Sequence, residues 1–140
     1  MIEVIKSFLP LDSVIAFWVY IVCAVVALGI VTWVYTLITP HNEMKLIRAG
    51  NVSAAIAMSG TVIGLAIPFQ SIISHSYNPV DFLLWAVLAA IVQLGVFRIC
   101  TIFLKGASAK IEDDNIAAGI FCGGMAIAVG LINAACMTPS

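Results

Sequence analysis

Four apolar stretches constrain this chain more than any other feature. Residues 14–38, 52–73, 82–104 and 116–137 each supply about 20 predominantly apolar residues or more, the length a helix needs to cross a bilayer. Hydrocarbon contains no water to satisfy backbone N–H and C=O groups, so a spanning segment must pair them within itself, as a helix does. Composition agrees. Hydrophobic residues make up 63% of the 140 and charged residues 9%, against about 45–50% and about 25% in ordinary globular domains. A water-soluble fold of this size would lack the polar side chains to cover its own surface. Residues 1–140 are therefore expected to form a single all-α membrane domain of four transmembrane helices, with the lipid bilayer as its main partner.

The first span exceeds the apolar core of a signal peptide, and no cleavage is expected. Ahead of it, "MIEVIKSFLP" sets Ile2, Ile5, Phe8 and Leu9 around Glu3 and Lys6 and reads as a short interfacial helix ending at Pro10. Basic residues set the direction. Lys45 and Arg48 lie between spans one and two, and Lys105 and Lys110 between spans three and four, with Arg98 near the same end of span three. Only Lys6 falls on the other side. The positive-inside rule then makes 39–51 and 105–115 cytoplasmic loops and puts both termini outside. Trp18, Tyr77 and Trp85 toward the outer ends, with Trp33 and Tyr35 at the inner end of span one, suit interfacial aromatic belts.

The chain also repeats itself. At an offset of 64 residues, "LIRAGNVSAAIAMSGTVIGLAI" lies against "KIEDDNIAAGIFCGGMAIAVGL", pairing Asn51 with Asn115, Ala54 with Ala118 and Gly60 with Gly124. The reading is two tandem helical hairpins, residues 14–73 and 82–137. Each has an even number of spans, so both enter from the same side and the repeats run parallel, unlike inverted transporter repeats. Asn51 and Asn115 stand immediately before apolar runs, where asparagine caps a helix; a ligand role is the alternative. Span four carries Ala118, Cys122, Ala126, Gly130 and Ala134 every four residues, beside Gly119, Gly123 and Gly124, while span two offers Gly60, Gly64 and Pro68. Such spacing lets helix backbones approach closely, so spans two and four are expected to form the inner seam, with spans one and three more exposed to lipid. Pro68 is expected to kink span two and free a carbonyl near residue 64.

Polar residues inside the spans are few: Gln70, Gln93, Arg98 and Asn133, with Ser59 and Thr61 able to bond within their own helix. Gln93, near the centre of span three, would bond between helices, and Arg98 would snorkel toward headgroups. No Asp or Glu lies at mid-span, which argues against a proton-coupled exporter built on a central carboxylate. Cys23, Cys100, Cys122 and Cys136 show no zinc spacing and read as small packing residues. His41 and Glu43 lack the spacing of a metalloprotease helix, and no nucleophile–base order is recognisable. No enzyme, cofactor or metal is expected. A net charge of −1 without a basic cluster gives no reason to expect nucleic acid.

The stretches "TPHNE" and "NxxAAxxxSGTxxG" over residues 39–64, with "DNIAAGIF" and "INAACMT" later, resemble the YjfL-like small bacterial membrane proteins, the domain-of-unknown-function 350 family of UPF 0719 type. The resemblance implies a four-span protein of the bacterial inner membrane with repeated paired-helix units, and it suggests envelope stress; it carries over no catalytic residue. Pro40, His41, Asn42 and Glu43 occur in the first loop but not the second. They read either as a helix stop ahead of a short amphipathic connector or as a docking surface for a peripheral cytoplasmic protein. The expected function is a non-enzymatic envelope scaffold or sensor, homo-oligomeric, with a small oligomeric channel or transporter as the alternative.

Overall fold

The computed structural model describes residues 1–39, 42–75 and 78–137, and the regular structure among them is helical. Seven helices follow in order: α1 (Ile2–Phe8), α2 (Leu11–Ile38), α3 (Glu43–Arg48), α4 (Val52–His75), α5 (Pro79–Phe103), α6 (Ala107–Glu112) and α7 (Ile116–Met137). Helices α2, α4, α5 and α7 are long and apolar enough to cross a membrane. They occupy the four expected stretches, with shifts only at their ends. Helix α2 starts at Leu11, directly after Pro10. Helix α5 starts at Pro79, because proline costs no helical hydrogen bond in a first turn and Asn78 Oδ1 accepts from the Asp81 N–H at 2.9 Å. Helix α6 is an addition to the sequence reading, which had only a loop there. It forms because Ala107 and Ile111, four residues apart, both bury against the bundle.

Boundaries recur at one spacing. Helix α3 runs from 43 to 48 and α6 from 107 to 112, both ends 64 apart; α4 and α7 begin 64 apart at 52 and 116. Positive backbone φ recurs as well, at Gly50 (89°) and Asp114 (57°), each just before a helix-capping asparagine. Only glycine adopts that conformation without strain, and Asp tolerates it better than most residues.

Helices α4 and α7 run in the same direction and share the largest interface in the fold. Glycine makes it. A Cβ on Gly60 would collide with the Gly123 backbone, one on Gly119 with Ser53, and one on Gly130 with the Gly64 carbonyl. That carbonyl is the one Pro68, four residues on, cannot bond, so the seam closes over the gap the proline leaves in the ladder. Ser71 Oγ donates to the Ala134 carbonyl at 3.3 Å near the far end. In lipid such contacts hold helices together by packing rather than by exclusion of water.

Expected depth and observed depth differ for one helix. Helix α2 is peripheral, with 0% of its most apolar stretch buried. Helix α5, expected near the lipid, is as deeply set as α7, at 39% against 33%. The reason is that α5 lies against both members of the α4–α7 pair through Ala86, Ala89, Gln93, Val96 and Phe97. At the end distal to the connectors, Phe69 and Phe82 meet edge to face at 5.6 Å. At the other end α3 and α6 cap the bundle, with Ala107 and Ile111 joining Ala54, Ala57 and Cys100 in one core.

Candidate functional site

The first loop holds the main surprise. Asn42 caps α3, its Oδ1 accepting from the Lys45 N–H at 3.1 Å. That cap fixes the phase of the short helix, and Glu43, Leu46 and Ile47 then share one face. Leu46 and Ile47 are half-buried, and Glu43 is wholly buried at 0% exposure. Glu43 is therefore not part of a surface for docking, as the loop reading had it. Its carboxyl lies beside the hydroxyl of Tyr35 on α2, which also neighbours the side chain of Thr61 on α4. Pro40 and His41, the other half of that reading, lie outside the described residues.

Around this carboxyl the spans assemble a polar interior. Tyr35 is 3% exposed and its ring meets Phe97 edge to face at 6.2 Å. Thr61 Oγ1 donates to the Ala57 carbonyl at 2.9 Å, roughly 14 Å along α4 from its start at 1.5 Å per residue. Gln93, 1% exposed, donates from Nε2 to the Ala126 carbonyl on α7 at 2.9 Å. Its Oε1 has no hydrogen-bond partner among the described residues. Cys100 and Cys122 lie side by side here as free thiols. These residues enclose a cavity of about 10 Å³, no larger than one water needs. The lining draws on α2, α4, α5 and α7, which meet at this point.

Other singled-out residues fall elsewhere. Asn133, buried, donates from Nδ2 to the Ala89 carbonyl at 3.3 Å. Arg98 is exposed on the outer side of α5, and Gln70 is exposed with Nε2 on Ser74 Oγ at 3.3 Å. Asn51 caps α4 by accepting from the Ala54 N–H at 2.8 Å and also donates to the Ile111 and Glu112 carbonyls at the end of α6. Asn115 caps α7, accepting from the Ala118 N–H at 3.3 Å, and is itself exposed. Gly60, Gly64, Gly119, Gly123 and Gly130 lie in the α4–α7 seam, but Gly124 faces outward with open space beside it. Its phase explains this, since Gly123 one residue earlier already points at α4. No group of three His, Cys, Asp or Glu side chains suited to a metal exists among the described residues.

The sequence reading singled out Glu43 but set it on the surface, because interior polar groups were sought only within the spans. The signal was present: Glu43 precedes Leu46 and Ile47 by three and four residues, the spacing of one helix face.

The model of the domain of unknown function DUF350 matches residues 8–137. The inner membrane protein YjfL of Escherichia coli K12, a UPF0719 protein, is 41% identical over 128 residues, covering 91% of this chain and 97% of the relative. The transmembrane protein YshE of Bacillus subtilis 168, also UPF0719, is 30% identical over 115 residues, covering 80% and 84%. No solved structure matches the chain.

Proposed function

Because the chain belongs to the DUF350 family and is a multi-pass inner-membrane protein, we propose that it is a non-enzymatic membrane sensor or scaffold whose connector α3 reports on the packing of its spans. One observation carries this: the carboxyl of Glu43, at the start of the connector, is held inside the bundle by Tyr35. Tyr35 belongs to the peripheral helix α2, and Thr61 to the central helix α4. A shift of α2 against α4 in a stressed bilayer breaks that junction and loosens α3. Release turns Leu46 and Ile47, beside the basic Lys45 and Arg48, toward a peripheral cytoplasmic partner, an order–disorder switch of a short segment. The suggested link of the family to envelope stress fits such a device.

Tandem duplication of a helical hairpin is part of the proposal. It is supported by the 64-residue recurrence of α3 in α6, of the positive φ and of the capping asparagine, and by the parallel course of α4 and α7. Lys45, Arg48, Lys105 and Lys110 are all exposed at the connector end, which supports a cytoplasmic connector face and termini outside.

A channel or transporter is the second reading, favoured by the unmatched Oε1 of Gln93, a buried polar atom inside span α5. Ion and proton flux through purified protein in liposomes, over a range of pH and cations, separates the two. The sensor reading expects no flux, together with faster labelling of a Leu46→Cys reporter when Glu43 is replaced by Ala. Flux that Gln93→Leu abolishes in a folded protein would sink it and establish transport.

A further inference from the structure

Helices α4 and α7 pair through different faces, and each leaves bare the face its counterpart uses. Close contacts of the seam include Ser53 with Gly119, Gly60 with Gly123, and Gly64 with Gly130, beside Gly64 with Ala126 and Ile56 with Gly123. For the first three, adding 64 to the α4 member and subtracting 64 from the α7 member gives three further pairs. These are Ala117 with Ala55, Gly124 with Ser59, and Ala128 with Ala66. All six residues are small, yet five are exposed and Ala55 is only half-buried. A groove of about 610 Å³ runs past Ser59 and Gly124 without protein over them. Lipid chains impose no need for small side chains, and the lipid-facing surfaces of α2 and α5 carry large ones such as Ile15, Val25, Leu84 and Ile91. Close approach of another helix backbone does impose it.

The chain itself shows what fits that row. We propose that the exposed row of α7 receives α4 of a second copy, repeating between chains the α4–α7 seam found within one, so that copies assemble head to tail. Two independent features agree. Helix α5 packs on α7 of its own hairpin and α4 of the preceding one, whereas its counterpart α2 packs chiefly on α4 and α5 and has 0% of its most apolar stretch buried. A preceding copy's α7 supplies the missing neighbour. Asn51 donates to the last carbonyls of α6, while its counterpart Asn115 is exposed; in the assembly it faces the end of α3 of the next copy. Copies in one membrane share one orientation, so the parallel course of the seam is available to them. Unlike a two-fold contact, a head-to-tail contact continues beyond two chains. Duplication is its premise, whereas the sensor reading is not, and flux results leave it untouched.

The test is disulfide cross-linking in native membranes of an Ala66→Cys/Ala128→Cys double variant that also carries Cys136→Ser. A ladder extending past dimers is expected, with neither single variant cross-linking. A product that stops at dimers, or cross-linked single variants, means that two identical faces meet and overturns the assembly. So does the absence of any product while a Ser71→Cys/Ala134→Cys control closes within one chain. Mass measurement in nanodiscs gives a second readout. The native protein is expected as an oligomer, and Gly124→Leu, which has open space in the single chain, as one folded chain. A native protein of single-chain mass assigns the row to lipid, and a Gly124→Leu protein of unchanged oligomer mass likewise overturns the proposal.

Discussion

Glu43 shows how far one buried side chain can alter the reading of a loop. Its carboxyl is fully enclosed and meets the Tyr35 hydroxyl, which in turn contacts Thr61. Buried polar groups persist only where they are hydrogen-bonded, and removing one partner leaves the other at the full cost of desolvation. Glu43→Ala is therefore expected to lower stability by about 1–3 kcal/mol, whereas Glu43→Gln, which keeps an acceptor for Tyr35, loses much less. Thermal unfolding in detergent checks the order; equal losses for the two variants would show that the polar contact with Tyr35 contributes nothing.

At the scale of elements, the α4–α7 seam is the least tolerant part of the fold. Gly60 and Gly124 occupy matching positions 64 residues apart but opposite environments, one against the Gly123 backbone and one beside open space. Gly60→Ala must force two backbones apart and lose packing along the seam. Gly124→Ala adds a methyl group where nothing lies within 4 Å and removes the helical cost of glycine, about 1 kcal/mol. Melting of the two variants as detergent-solubilised single chains should show a clear loss for the first and no loss for the second. Equal stability would mean that the seam is looser than its glycines indicate. The pattern of small residues was legible in the sequence, since every-fourth spacing is visible without coordinates. Which of two neighbouring glycines faces the partner was not, because Gly123 and Gly124 differ only by about 100° of helical phase.

For the whole molecule, α3 and α6 close one end of the bundle and expose Lys45, Arg48, Lys105 and Lys110 there. With that face in the cytoplasm, Lys45→Cys and Lys105→Cys should react with a membrane-impermeant maleimide only after the inner membrane of spheroplasts is opened. Labelling of intact spheroplasts would reverse the orientation. The depth of α5 also belongs to this scale. Its sequence is as greasy as that of a lipid-facing helix, but two parallel glycine-rich helices leave a flank that a third must cover, and α5 takes that place on both of them.

The sequence by itself determined the four spans, the connector positions, the capping asparagines and the small-residue faces, because each depends on local periodicity or on the solvation of a single stretch. Tertiary structure alone decided what Glu43 meets inside the bundle, that α5 rather than α2 fills the flank of the seam, and that Gly124 is left bare. Those outcomes depend on which helix meets which, and at what phase. Several helices here are apolar all round, so their own sequences offer lipid and protein nearly equal claims on every face.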